Sequence, residues 1–253
     1  THPMTFHLDP ERLADYTESG FVVVRRLFRS DEVQAVRSAI TRIVNATDNR
    51  SRSMVQMEPA VLNGSAEPTS RELGVRKRFR MAVHDPFFRK LGYHPGMNAL
   101  ARQILGDDIR LMQSMLLMKP PFLSGEKVWH QDNAYFGLTP GNVLGFWVAC
   151  DDTDVANGCM HVLPASHRQG VLAHGGEGAL YGLTSAPDFD AADMLPVPLK
   201  AGDALLFHGE ICHGTPLNTA GTRRRALQYH YGATPCMTSE QHAELDLNLD
   251  LDL

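Results

Sequence analysis

The second half of the chain alternates short β-prone runs with turn residues, and this pattern most restricts the possible folds. Gly, Pro, Asn and Asp separate the runs, which span residues 109–118, 143–150, 160–163, 204–207 and 226–231. Short strands with turn signals between them are typical of antiparallel sandwiches and barrels. The pattern predicts a mainly β protein with flanking α-helices, folded as a double-stranded β-helix, which is a jelly roll or cupin-like fold.

Helical patterns dominate the first third of the chain, and we expect these helices to pack outside the sheets. Asp9 followed by Pro10 predicts the start of the first helix, because aspartate caps helices and proline suits the first helical position. Residues 45–71 are polar and irregular, which predicts a long loop near the mouth of a site. Leucine alternates with Asp or Asn in 245–253, which indicates an edge strand or an acidic tail, and we favour the tail.

The chain shows no internal repeat and no linker, so we expect one domain over residues 4–253. Thr1, His2 and Pro3 precede Met4 and are interpreted as an expression scar.

Composition and charge argue against several classes of protein. The 24 basic and 29 acidic residues give a net charge of −5, which argues against a general nucleic-acid binder. No apolar run approaches the length that spans a membrane. The four cysteines show no close pairing motif, which predicts free thiols in a reducing compartment. We therefore expect a cytoplasmic protein, a monomer or weak homo-oligomer, without nucleic-acid or membrane partners.

A candidate metal site begins at His130 and Asp132. On an extended segment, residues two apart point to the same face, so this pair can supply an imidazole and a carboxylate to one ion. His213 is the preferred third ligand, and His208 is its competitor. Two histidines and one carboxylate on one side of a metal are used by non-haem Fe(II) oxygenases. The alternative for His130 and Asp132 is an ordinary surface pair.

A basic residue strengthens the metal interpretation. Arg224 follows His213 by eleven residues, beyond a Gly-Thr-Pro turn, and on a returning strand it could bind a carboxylate near the metal. Strand alternation would send its neighbours Arg223 and Arg225 to the other face. The remaining histidines that we considered are interpreted as ordinary polar histidines or as histidines with satisfied hydrogen bonds, namely His161, His167, His174 and His230.

These stretches resemble the phytanoyl-CoA dioxygenase family of Fe(II)/2-oxoglutarate oxygenases, over roughly Leu13 to Ala233. The matching segments occur in the family's order and are 114–121, 129–132, 157–159 with 163–167, 202–203 with 207–209, and 213–215 with 224–226.

The resemblance implies Fe(II), 2-oxoglutarate and O2, with His130, Asp132 and His213 as metal ligands. It implies that Arg224 and Thr215 bind the far carboxylate of 2-oxoglutarate, with Thr215 replacing the family's usual serine. It also implies that Trp147 and Met115 line the cosubstrate pocket. The family's basic residue for 2-oxoglutarate falls at or next to Arg78. For the substrate we expect contacts from residues flanking the ligand pair and from two residues upstream: Gln131, Asn133, Tyr135, Phe136, Arg80 and His84.

The expected activity is hydroxylation of an unactivated C–H bond of a small metabolite or natural-product intermediate, with release of succinate and CO2. Related family members that halogenate lack a carboxylate where this chain has Asp132, so hydroxylation is favoured over halogenation. Desaturation or ring closure would use the same ligands. A non-catalytic metal-binding protein, a zinc hydrolase and a 2-oxoglutarate sensor stay open as alternatives, although a hydrolase has no need for a dicarboxylate clamp at Arg224 and Thr215.

Overall fold

The computed structural model describes residues 6–139, 143–177, 180–184, 193–237 and 243–247. The expected expression scar and residues 248–253 of the expected tail lie outside these ranges. Within them, no helix is both long and apolar enough to cross a membrane.

Seven of the eight described α-helices precede the first long strand, and the eighth follows it. They are α1 (Pro10–Ser19), α2 (Ser30–Val44), α3 (Asn49–Ser53), α4 (Pro59–Leu62), α5 (Met81–His84), α6 (Pro86–Gly92), α7 (Pro95–Leu105) and α8 (Asn133–Phe136). As predicted, Asp9 caps α1 by accepting from Arg12 N, and Pro10 is its first residue. Gly20 ends α1 in the left-handed conformation, with φ at 85°.

Fourteen strands are described. They are β1 (Phe21–Val24), β2 (Val55–Met57), β3 (Val75–Arg78), β4 (Ile109–Lys119), β5 (Lys127–His130), β6 (Val143–Ala149), β7 (Met160–Val162), β8 (His174–Gly175), β9 (Gly182–Leu183), β10 (Leu195–Val197), β11 (Ala204–His208), β12 (His213–Thr215), β13 (Arg224–Ala233) and β14 (Leu245–Asp246).

Two antiparallel sheets pack face to face. The larger has the strand order β1-β11-β6-β13-β4-β3-β2, with β14 added on β4, and the smaller has the order β10-β7-β12-β5. Apolar side chains from both sheets, including Trp147, Val162 and Phe207, form one cluster between them. The helices cover the outer face of the larger sheet, where Val36, Phe88 and other helical residues pack in a larger cluster. The predicted jelly roll with external helices is confirmed.

Two local predictions differ from the structure. Residues 45–71 contain α3, β2 and α4 rather than one irregular loop, because β2 pairs with β3 and gains its order from that partner. Leu245 and Asp246 pair with β4, and Leu247 is buried. The described start of the expected tail is therefore an edge strand, because leucines on one face of it pack against the core.

Candidate active site

Two histidines meet across neighbouring strands of the smaller sheet. His130 ends β5, His213 begins β12, and the antiparallel register makes them direct partners. Their ring centroids lie 4.2 Å apart, and both side chains are buried. The Nδ1 atoms face backbone carbonyls, at 2.8 Å from Val128 O and 3.0 Å from Ile211 O. Each Nδ1 therefore donates to a carbonyl, which leaves each Nε2 as a lone-pair donor for a metal.

Asp132 completes the cluster from a turn. Its backbone is helical, with φ −67° and ψ −32°, because it immediately precedes α8. The expectation that His130 and Asp132 share one extended face is therefore wrong, although their side chains still converge. Asp132 Oδ1 lies 3.4 Å from His130 Nε2 and 3.6 Å from His213 Nε2. One ligand atom from each of the three residues lies within 4.8 Å of the other two.

The protonation states suit a divalent ion. Burial, followed by the neighbouring His213, lowers the pKa of His130 to about 3. Burial also lowers the pKa of His213. For Asp132, burial alone would raise the pKa, but the nearby histidines His213 and His230 hold it well below its ordinary value. At neutral pH the cluster therefore offers two neutral imidazoles and a carboxylate, the forms that bind metal.

His208, the competing third ligand, lies outside this cluster. Its Nδ1 accepts a hydrogen bond from Glu210 N at 3.0 Å, and its ring contacts His167 at 5.0 Å between centroids. Among the described residues, His213 is the histidine that joins His130 and Asp132.

The second oxygen of Asp132 is held from β13. His230 Nε2 lies 2.6 Å from Asp132 Oδ2, and Gln228 Nε2 donates to the same oxygen at 3.1 Å. His230 is fully buried. His230 is therefore a hydrogen-bonded buried histidine whose partner is a candidate metal ligand, a role that the sequence analysis did not assign to it. Strand alternation could have identified both residues, since 228 and 230 share a face with 224.

A cavity of about 280 Å³ opens beside the His–Asp–His cluster. Its lining includes all three cluster residues and four of the five residues expected to bind the cosubstrate, namely Met115, Trp147, Thr215 and Arg224. The Nε1 atom of Trp147 is buried without a hydrogen-bond partner in the described structure.

Arg224 is buried at the cavity wall with 2% of its surface exposed. Its Nε donates to Gly158 O at 3.3 Å and its Nη1 to Leu117 O at 3.1 Å. The guanidinium carbon lies 5.1 Å from the Trp147 ring centroid. Arg224 forms no ion pair with any described carboxylate. A buried guanidinium that lacks an anionic partner is suited to bind an anionic ligand.

The neighbouring arginines are already paired. Arg225 bonds to Asp151 at 2.8 and 2.9 Å, and Arg223 bonds to Glu72 at 2.8 Å. Of the three adjacent arginines, only Arg224 lines the cavity.

The fifth expected cosubstrate residue, Arg78, does not line the cavity, and Lys77 lines it instead. In β3, Lys77 lies opposite Leu117 and Arg78 opposite Leu116. Leu117 lines the cavity, whereas Leu116 belongs to the core beneath the helices. Alternation therefore points Arg78 away from the cavity, which places the basic residue one position earlier than expected.

The expected substrate residues divide into two groups. Tyr135 and Phe136 line the cavity, and Tyr135 is 52% exposed at its mouth. The other four do not line it. Gln131 donates to Gly170 O and Glu210 O, and Asn133 donates to Leu138 O and the Glu210 carboxylate, so their amides fix loops. Arg80 is exposed and His84 half-buried, both outside the lining.

The cavity wall carries an excess of basic side chains. Among the residues that the structure describes, five basic residues line it, against two carboxylates: Arg76, Lys77, Lys119, Lys127 and Arg224, with Glu58 and Asp132. Glu58 forms a buried ion pair with Arg76, with 3.2 Å between Glu58 Oε2 and Arg76 Nη1. The wall therefore favours anionic ligands.

Comparisons with known proteins agree with this geometry. Residues 16–226 match the family model described as phytanoyl-CoA dioxygenase (PhyH). The chain is 27% identical to rat phytanoyl-CoA dioxygenase domain-containing protein 1, covering 88% of this chain and 89% of the relative. It is 28% identical to rat peroxisomal phytanoyl-CoA dioxygenase, and the match covers 90% of this chain and 70% of the relative.

Solved structures show the same fold. EctD from S. alaskensis in its apo form superposes with a TM-score of 0.73 at 22% identity, covering 92% of this chain and 80% of EctD. SnoK, a non-heme alpha ketoglutarate dependent carbocyclase from nogalamycin biosynthesis, superposes with a TM-score of 0.69 at 23% identity. The superposition covers 92% of this chain and 87% of SnoK.

Proposed function

We propose that this chain, which belongs to the phytanoyl-CoA dioxygenase family, hydroxylates an unactivated C–H bond of a small metabolite or natural-product intermediate. Fe(II) and 2-oxoglutarate are its cofactor and cosubstrate, and succinate and CO2 are the coproducts. One observation carries the proposal: the His–Asp–His cluster shares a single cavity with Arg224, a buried guanidinium that has no described carboxylate partner.

The three cluster residues fit a divalent iron ion. Two Nε2 atoms and one carboxylate oxygen converge within 4.8 Å, on one side of the cavity. His230 and Gln228 hold Asp132 Oδ2, which leaves Oδ1 to face the two imidazoles. Such a one-sided triad leaves coordination positions open toward the cavity. When bound there, iron supplies the oxidising chemistry that no side chain can provide.

The cavity also fits a dicarboxylate. Arg224 would bind the far carboxylate, with the Thr215 hydroxyl as a second contact, while Trp147 and Met115 confine the chain of the cosubstrate. Lys77 is the cavity-facing basic residue of β3, and we assign to it the role that the resemblance placed at or next to Arg78. These side chains would orient the cosubstrate and neutralise its charge.

Two features favour hydroxylation of a small substrate. Asp132 fills the position that halogenating relatives leave without a carboxylate, so halide has no place among the protein ligands. The cavity of about 280 Å³ must hold the cosubstrate as well, so there is room for a small molecule or the reacting part of a larger one. Tyr135 and Phe136 form the wall that such a substrate would meet.

The deciding experiment is a screen of small metabolites with anaerobically loaded Fe(II) and 2-oxoglutarate, started by adding O2 in chloride buffer. We expect substrate-dependent succinate release and a product heavier by one oxygen. A chlorinated product would contradict hydroxylation. Tight 2-oxoglutarate binding without succinate from any compound would support a sensor, and hydrolysis with Zn(II) but without 2-oxoglutarate would support a hydrolase.

A further inference from the structure

Lys119 is a buried lysine on the cavity wall that the proposed function does not yet use. It is the last residue of β4 and lies directly opposite Arg224 in the antiparallel register. Only 4% of its surface is exposed, and its side chain lines the cavity. The two most buried basic side chains of the described wall therefore sit side by side at the same end of the sheet.

Within the described parts of the chain, Lys119 has a neutral hydrogen-bond partner and no anionic one. Its Nζ donates to Gly125 O at 2.6 Å. Among the described residues it forms no ion pair. The charged groups that act on it are Arg224, Arg76, Glu58 and Glu126, and of these Glu58 is already bonded to Arg76. A buried ammonium facing two guanidiniums is costly unless a negative charge joins them.

The local backbone is shaped around this lysine. Gly158 has φ +87°, and a Cβ at that position would lie 2.5 Å from Lys119 Cδ. The carbonyl of the same glycine accepts from Arg224 Nε. Asn218 donates to the Lys119 carbonyl at 3.0 Å and so fixes the end of β4. One turn thus makes room for the lysine stem while it orients the neighbouring guanidinium.

We propose that Lys119 is a second cationic contact for the far carboxylate of 2-oxoglutarate, beside Arg224. This proposal rests on the proposed function, since it takes 2-oxoglutarate as the ligand. Two adjacent buried cations against one carboxylate would give this end of the cavity its preference for a dicarboxylate over a monocarboxylate.

Such a contact has a consequence that a purely structural lysine lacks. Burial, and then the charges of Arg224 and Arg76, lower the pKa of Lys119 to about 6. A carboxylate bound beside Nζ stabilises the ammonium form and raises this pKa. Between pH 6 and the raised value, 2-oxoglutarate binding should therefore take up a proton, and its Kd should increase as pH rises through this window.

The test is calorimetric titration of 2-oxoglutarate into the full chain saturated with Mn(II), at pH 7.5, in two buffers of different ionisation enthalpy. For the unmodified protein we expect uptake approaching one proton per bound 2-oxoglutarate. Lys119→Met should raise the Kd about tenfold or more and abolish proton uptake. Lys119→Arg, which carries its charge at every pH tested, should retain most of the affinity and also abolish uptake.

Controls separate the possible failures. Lys90→Met, at an exposed position of α6, should match the unmodified protein in Kd and in proton uptake. If the unmodified protein with Mn(II) does not bind 2-oxoglutarate, the proposed function fails and this inference with it. If it binds, and Lys119→Met keeps both the Kd and the proton uptake, only the assignment of Lys119 is overturned. Should Lys119→Met fold poorly, unchanged proton uptake by Lys119→Arg would overturn it equally.

Discussion

The two faces of β13 differ in what they contact, although they belong to one strand. Arg224, Gln228 and His230 point between the sheets, toward the cavity and Asp132. Tyr229 and Tyr231 point the other way and donate from their hydroxyls to carbonyls of α6. Period-two alternation thus lets one strand serve ligand binding with one face and stability with the other. Substitutions on the two faces should therefore have separable effects.

The largest effect is expected at the metal ligands that the cavity face supports. His213→Ala should reduce iron-dependent turnover to background, because two remaining ligands hold a catalytic metal poorly. The fold should persist, since the core under the helices does not include this histidine. Succinate release measures turnover, and far-UV circular dichroism measures whether the fold persists. His208→Ala is the matched control, and activity that survives in His213→Ala but not in His208→Ala would reverse the ligand assignment.

The next effect is expected at Arg224. Removing a buried charged partner of a carboxylate costs about 2–5 kcal/mol, so Arg224→Ala should raise the Kd for 2-oxoglutarate by roughly 30-fold or more. Arg223→Ala should leave that Kd unchanged, because Arg223 is bonded to Glu72. Titration of the Mn(II)-loaded proteins measures both constants. Equal losses in the two variants would contradict the alternation on which the comparison of faces depends.

A smaller effect is expected at His230, which acts through Asp132. Groups that orient metal ligands typically contribute tenfold to hundredfold in metal affinity, so His230→Leu should weaken Mn(II) binding by roughly tenfold. Gln228 would still hold Asp132 Oδ2 in this variant. His230→Gln, which keeps a donor, should recover part of the loss. Mn(II) titrations of the unmodified protein, His230→Leu and His230→Gln provide the comparison. Identical affinities would show that metal binding does not depend on the hydrogen bond between His230 and Asp132.

The sequence was sufficient where local pattern and tertiary structure agree. Turn-separated runs predicted the sheets, and the spacing of His130, His213 and Arg224, together with the family resemblance, predicted that they share one site. It was insufficient where a partner strand decides the outcome. Whether Lys77 or Arg78 faces inward depends on the pairing of β3 with β4. The short strand β2, within the predicted loop, likewise exists through its pairing with β3.

Asp132 and the basic wall show a second limit. The turn that carries Asp132 follows from tertiary contacts such as the Asn133 N to Gly209 O hydrogen bond of 2.7 Å, which no local signal predicts. Lys119 and Lys127 lie on different strands, and nothing in their spacing indicates a shared cavity. His230 is different, because alternation from Arg224 would have placed it on the inward face, although this prediction was not made.

The smallest effect is expected at Tyr231, the neighbour of His230 on the opposite face. Its hydroxyl donates to Gly92 O at 2.9 Å, and that carbonyl also accepts from Asn98 at 2.9 Å. Tyr231→Phe removes one buried hydrogen bond while the acceptor keeps a partner, so the free energy of unfolding should fall by only about 0.5–1.5 kcal/mol. Metal and 2-oxoglutarate affinities should not change, because the ring still fills the core. Urea unfolding measures the change in stability, and titrations with Mn(II) and 2-oxoglutarate measure the two affinities. A weakened metal site in Tyr231→Phe, with unchanged stability, would mean that the two faces of β13 are not independent.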